Sequence, residues 1–259
     1  MTHATTDCLA TMNGHLDLIP HLRRHLNALH AAGIEYVPNI PNTAPTIEPA
    51  LSPAPTLPVD DLETRRHRLE LLAVEVAKCD RCPELFSTRT QTVFGVGRLS
   101  PEVCFVGEAP GADEDRQGEP FVGKAGQLLT KMILGMGLTR EEVYICNTLK
   151  CRPPMNATPT PQQCANCWPY FEQQIEMVAP KVICCLGGTA AKNVLKTSTG
   201  ITKLRGQWHD YRGIPVMCTY HPSYLLRDEN AHFKKDTWED LKAIVKRLGR
   251  TLPGSQSKK

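Results

Sequence analysis

The residues best equipped for chemistry in this 259-residue chain stand in two short polar runs, each behind a hydrophobic stretch. One is His221-Pro222-Ser223-Tyr224-Leu225-Leu226-Arg227, just past the apolar residues Pro215 to Thr219. The other is Gly107-Glu108-Ala109-Pro110-Gly111, just past Val103 to Val106. Two tight polar turns after two hydrophobic strands make a cleft at one edge of a parallel sheet, where open α/β folds put their ligands. His221 brings an imidazole to one wall and Glu108 a carboxylate to the other. Gly107 and Gly111 let backbone approach a flat ligand closely. Asn147 ends a third apolar run, Tyr144-Ile145-Cys146-Asn147, and its amide offers one acceptor and two donors.

Cysteines supply a second kind of chemistry. Cys79 and Cys82 form a C-x2-C turn, a spacing that lets two thiolates grip one centre. Cys151 stands in Lys150-Cys151-Arg152-Pro153-Pro154, and Cys167 precedes Trp168-Pro169-Tyr170. Because Cys164 and Cys167 make a second C-x2-C, the two pairs taken alone read as a zinc ribbon. Ribbon pairs are usually about 15–20 residues apart, however, and a whole βα unit intervenes here. Cys104, Cys146, Cys184, Cys185 and Cys218 fall in apolar strands, where cysteine behaves as a small buried hydrophobe.

The elements that must carry these groups alternate. Candidate strands are Val103–Val106, Val143–Ile145, Val182–Leu186 and Val216–Tyr220. Candidate helices are Lys124–Met136, Pro161–Val178, Thr189–Lys196 and Phe233–Leu248, and Asp60 or Asp61 caps an earlier one that carries Leu62, Leu69, Leu72, Ala73 and Val76 and ends at Cys79. Such alternation implies crossover connections and a parallel sheet with helices on both faces. Residues 15–33 carry a leucine stripe (Leu18, Leu22, Leu26, Leu29) that stops at Gly33, and the prolines from Pro38 to Pro58 read as an extended linker. The expected organisation is an N-terminal helical segment at 1–36, the linker at 37–59, one α/β domain at 60–250 and a disordered tail at 251–259.

Composition narrows the class without fixing it. A hydrophobic fraction of 41% supports a real core, while a formal net charge of +3 is too mild to announce a nucleic-acid binder. The cysteine count of 11 is odd, and Met1 to Asn13 show no basic region followed by an apolar core. No apolar run approaches the roughly 20 residues needed to cross a bilayer. A reducing, cytoplasmic setting is expected, nucleoid-associated in a bacterium, with paired cysteines holding metal rather than disulfides.

The two polar loops resemble the two signature loops of the uracil-DNA glycosylase superfamily, and the ordered cysteines resemble its iron–sulfur branch, family 4. The resemblance spans about Cys79 to Leu248. It implies a three-layer α/β/α fold with a central, mainly parallel four-stranded sheet, and a 4Fe–4S cluster on Cys79, Cys82, Cys151 and Cys167, with Cys164 a bystander. The implied activity is a hydrolytic DNA N-glycosylase of base excision repair, a monomer acting on uracil-containing DNA, single- and double-stranded. A repair or replication protein would meet the N-terminal segment.

Residue by residue, the resemblance places uracil against Gly107 and Ala109 and stacks it on Phe121, in the run Pro120-Phe121-Val122-Gly123-Lys124-Ala125-Gly126. Asn147 would accept from uracil N3–H and donate to O4, where cytosine instead presents a donor. His221 would donate to O2 of the departing base, a preorganised contact worth roughly 3–4 kcal/mol. In the best-known branch an aspartate stands where this chain has Ala109, so Glu108 is the nearest carboxylate to the sugar, with Glu114 and then Asp113 behind it. Gly111 likewise replaces the tyrosine that excludes thymine there. Ser223 and Arg227 would hold phosphates, and Leu225 or Leu226 would wedge into the vacated stack while the other anchors the loop, with Leu225 the expected DNA contact. His209 and His232 could approach DNA, whereas the basic residues of the last helix suit a solvated face. Two other readings stand beside this one: a relative that traps uracil-DNA covalently, and a non-catalytic module stapled by metal for nucleic-acid binding.

Overall fold

A computed structural model describes residues 61–253, all inside one compact unit, Thr56–Lys259. The expected helix at 15–33, the proline-rich linker and the last six residues of the tail lie outside the described residues. Helix α1 (Leu62–Ala77) begins where the Asp61 carboxylate accepts the Thr64 N–H at 2.7 Å, a side-chain cap for one of the orphan donors of a first turn. Helix α2 (Pro83–Thr88) starts directly after Cys82, with proline at a position where no donor is lost.

The central elements follow as β1 (Val96–Gly97), β2 (Val103–Gly107), α3 (Ala112–Gln117), α4 (Lys124–Gly135) and β3 (Tyr144–Asn147). Next come α5 (Pro161–Val178), β4 (Val182–Leu186), α6 (Gly188–Leu195), α7 (Ile201–Leu204), β5 (Trp208–Tyr211) and β6 (Ile214–Thr219). The short α8 (Pro222–Leu225) and the long α9 (Phe233–Arg247) close the domain.

The sheet has six strands in the order β1-β3-β2-β4-β6-β5. Its four central strands run parallel, as the sequence implied, and two short antiparallel edge strands extend the expected four to six. Both edges escape sequence reading for a physical reason. β1 is two residues long, and β5 reads Trp-His-Asp-Tyr, which lacks the apolar run of a buried strand.

Alternating side chains split the core between the two faces, as the period of a strand requires. Val103 and Phe105 point to one face, with Leu129 and Ile133 of α4 and Leu241, Ile244 and Val245 of α9. Cys104, Val106, Cys146, Cys185 and Cys218 join Phe171 and Ile175 of α5 and Val194 of α6 on the other. The strand cysteines are therefore core, as read from sequence. From β2 the chain moves outward to β3, then returns to the far side of β2 for β4 and β6. The connections thus diverge between β2 and β4, and the carboxyl ends of those strands frame the crevice where such sheets bind ligands.

Candidate active site

The carboxyl ends of β2, β3, β4 and β6 surround a pocket of about 450 Å³. Glu108, Ala109, Phe121, Asn147 and His221 all line it, together with Glu114, Asp113 and Ser223. Residues more than a hundred apart in sequence meet because parallel strands end on one edge.

Asn147, at the end of β3, is 2% exposed, and its Oδ1 has no hydrogen-bond partner. An unpaired buried carbonyl costs about 1–3 kcal/mol, which a ligand donor would recover. Gly107 lies across from it in the sheet register. A Cβ on Gly107 would come within 2.3 Å of Asn147 Oδ1 and 2.6 Å of Phe121 Cζ, so only glycine lets the amide and the ring share this space.

Phe121 sits in the left-handed region at φ 56°, a strained conformation for a non-glycine residue. Three features hold it there. Glu114 accepts the N–H groups of Val122 and Gly123 at 3.0 Å each, Arg140 donates to the Pro120 carbonyl, and the Phe121 carbonyl packs so tightly on Gly126 that a Cβ there would overlap it. Glu114 also accepts the Gly111 N–H at 3.1 Å. Its carboxylate thus clamps two pocket segments together. Glu108 differs: among the described residues its carboxylate has no hydrogen bond or ion pair, while its backbone carbonyl receives Leu149 N–H at 3.0 Å and Thr148 Oγ1 at 3.0 Å. Asp113 is paired with Arg116 at 2.5 Å.

His221 opens the loop after β6 and stands 5.6 Å, centroid to centroid, from the Phe121 ring. Its Nδ1 accepts the Ser223 N–H at 3.1 Å and lies 2.7 Å from Ser223 Oγ. With Nδ1 acting as acceptor, the ring proton of the neutral form resides on Nε2. Burial pushes the imidazole down from its ordinary 6.5 to about 4, against an opposing pull from Glu114. The ring is therefore a neutral donor at physiological pH.

The following loop corrects one expectation. Leu225, the residue read as the DNA contact, is 2% exposed, whereas Leu226 is 45% exposed. Leu225 is the anchor and Leu226 the outward side chain, because neighbouring positions of a helical turn point about 100° apart. Ser223 and Arg227 are exposed beside it. His209 is tied to the Leu204 carbonyl at 2.8 Å, His232 lies against Phe233 on the surface, and Lys234, Lys235, Lys246 and Arg247 face solvent.

The four ordered cysteines share one apolar cluster at the end of α1, with Cys151 and Cys167 buried and Cys79 and Cys82 half-buried. Three of the sulfurs accept hydrogen bonds: Cys151 from Arg89 at 3.1 Å, Cys167 from the Lys150 N–H at 3.3 Å, and Cys82 from Asn166 at 3.5 Å. Burial pushes the Cys167 thiol up to about 12 against the pull of Lys150, and raises Cys151 against Arg89. Cys164 stands apart from this cluster and accepts from Asn193 at 3.3 Å. Among the described residues no three His, Cys, Asp or Glu side chains converge to hold a single metal ion. Ala109 packs against the cysteine cluster and also lines the pocket, so the two sites share a wall.

Sequence reading missed a third strand-end loop. Leu186, Gly187 and Gly188 complete the pocket from β4, and Pro153, Asn156 and Ala157 reach it from the loop after β3. The signal was available: Gly-Gly directly after an apolar run occupies the same sheet edge as the two loops that were found.

A pocket lined by an aromatic ring, an unpaired amide oxygen and a neutral imidazole, at the switch point of a parallel sheet, has the chemistry to receive a flat, hydrogen-bonding heterocycle. Residues 94–242 match the sequence model of the uracil DNA glycosylase superfamily, and the chain belongs to that family. It is 44% identical over 191 residues to a type-4 uracil-DNA glycosylase of Thermotoga maritima, covering 72% of this chain and 99% of that one. A type-4 uracil-DNA glycosylase of Archaeoglobus fulgidus is 40% identical over 193 residues, 71% of this chain and 96% of its own length. A type-5 uracil-DNA glycosylase of Pyrobaculum aerophilum is 30% identical over 204 residues, 66% and 88% of the two chains.

Proposed function

We propose that this protein is a uracil-DNA glycosylase that hydrolyses the N-glycosidic bond of deoxyuridine in DNA, freeing uracil and leaving an abasic site. The observation that carries this reading is the orphaned Oδ1 of Asn147, buried in a pocket that His221 and Phe121 also line. Uracil N3–H supplies the missing donor, and the amide N–H group meets O4. Cytosine lacks that N3 proton and offers an amino group in place of O4, so the same amide would bury unmatched groups against it.

In the reaction a water oxygen bonds to C1′ as the bond from C1′ to uracil N1 breaks. The bonding electrons leave with the base, and the charge spreads to O2, where the Nε2–H of neutral His221 donates. The water's proton ends in solution or on the released base. Glu108, with its unengaged carboxylate, orients the water or stabilises the sugar cation, while Glu114 holds the Phe121 turn. A base must leave the duplex before it can enter such a slot, at a cost of a few kcal/mol. Leu226 fills the vacated stack, and Ser223 and Arg227 hold the flanking phosphates.

The four clustered cysteines fit a 4Fe–4S cluster, with Cys79, Cys82, Cys151 and Cys167 as its thiolates. Four thiolates are what such a cluster takes, and they need not converge on one ion because each binds its own iron. With iron bound, the four cysteines would be held as thiolates, so the buried Cys151 and Cys167 would not need to stay protonated. When bound, the cluster acts as a staple between the α1–α2 turn, the loop after β3 and helix α5.

Incubation with uracil-containing DNA, followed by abasic-site cleavage and a denaturing gel, tests the reading. Strand breaks at uracil with no slower-migrating species are expected. A stable protein–DNA adduct would instead identify a covalent trap, and intact strands with retained binding a non-catalytic module.

A further inference from the structure

Lys150 is 1% exposed, yet among the described residues no carboxylate pairs with it. Its ammonium donates to the Asn147 carbonyl at 2.8 Å and to Gln174 Oε1 at 2.5 Å, with the rings of Phe94 and Phe171 nearby at 5.6 and 5.8 Å. Gln174 cannot turn away, because its Nε2 donates to the Phe94 carbonyl at 2.9 Å and contacts the Tyr144 hydroxyl at 3.0 Å. A buried cation with only neutral partners is strongly unfavourable unless a negative charge lies close.

The backbone of Lys150 places the residue beside the ordered cysteines. Its N–H donates to Cys167 Sγ at 3.3 Å, its carbonyl accepts the Val93 N–H at 2.8 Å, and the next residue is Cys151. Four thiolates around a 4Fe–4S core leave a net negative charge in this apolar surrounding. We propose that Lys150 is the buried counter-cation of that cluster and the positioning residue that ties it to Asn147. The inference rests on the cluster reading above. Side chain and backbone divide the work: the ammonium fixes the backbone carbonyl of Asn147, whose amide meets the base, while the peptide N–H holds the Cys167 sulfur and the buried charge offsets that of the thiolates.

The test uses full-length protein carrying Lys150→Met, Lys150→Gln or Lys150→Arg. Iron and sulfide content is measured first, then the rate at which the cluster's visible absorption bleaches under excess chelator, and finally KM and kcat for uracil excision. The two neutral variants should bleach about 10-fold faster than the parent, the scale on which outer-shell partners affect metal retention. Lys150→Arg should restore part of the difference, and KM should rise more than kcat falls in the neutral variants. Parental bleaching rates in both neutral variants, with the parent loaded, would overturn the role of Lys150 and leave the cluster standing. A parent without iron or sulfide would overturn the cluster and this role with it. If the neutral variants do not accumulate, loaded Lys150→Arg protein supports a need for charge, and its equal failure counts against one.

Discussion

At the residue scale the pocket works through groups whose partners decide their state. Ser223 occupies Nδ1 of His221, so the imidazole offers Nε2–H without carrying charge. Because burial depresses its pKa to about 4, the ring stays neutral across the pH range where an ordinary histidine titrates. The acid limb of single-turnover excision should therefore lie well below 6.5, and a limb centred at 6.5 would show the ring to be ordinary. The same shift sets a sign for stability. The neutral ring's contribution is complete above 6.5 and lost as pH falls towards 4, so the parent should lose more thermal stability across that window than His221→Ala. The two glutamates separate in the same way. Glu108→Gln should depress excision with little effect on melting, whereas Glu114→Gln should cost about 1–3 kcal/mol in urea unfolding by weakening the clamp on Phe121. His221, Asn147 and Glu108 were legible in the sequence because a polar residue straight after an apolar run is out of place unless it serves a site. The clamp was not legible, since the partners of Glu114 lie eight and nine residues on and meet it only through the turn at Phe121.

At the scale of elements, the loop after β6 divides two adjacent leucines between core and solvent. Leu226→Ala should slow excision from double-stranded DNA more than from single-stranded DNA, where no stack must be opened. Leu225→Ala should instead destabilise the fold by about 2–5 kcal/mol through the cavity it leaves. Equal activity losses on both substrates for Leu226→Ala would reject its role as a wedge. Sequence could name the pair but not sort it, because a four-residue helix is too short to display an apolar stripe. The parallel strands were legible for the opposite reason. β2 and β4 are buried on both faces, so each reads as an unbroken apolar run bounded by turns. The edge strands β1 and β5 are short and partly exposed, and their pairing comes from the neighbours they meet rather than from their own pattern.

At the scale of the whole domain, one sheet edge gathers the pocket, and the apolar cluster at the end of α1 gathers Cys79, Cys82, Cys151 and Cys167. The hydrogen bonds from Thr148 and Leu149 to the loop after β2 lace these regions together, and Lys150 continues the link into the cluster. The fold class was legible because alternation of strand and helix admits few topologies, but the switch point between β2 and β4 emerges only from the strand order. The central claim is that this edge reads uracil through one amide and expels it as an anion. Single-turnover excision by the parent and by Asn147→Asp, on otherwise identical strands carrying uracil or cytosine, tests it most directly. The parent should release uracil alone. Asn147→Asp should release uracil more slowly and begin to release cytosine, a shift in preference of about 1–3 kcal/mol, the scale of one bidentate contact to a base. Parental uracil rates in Asn147→Asp, with no gain on cytosine, would contradict the account.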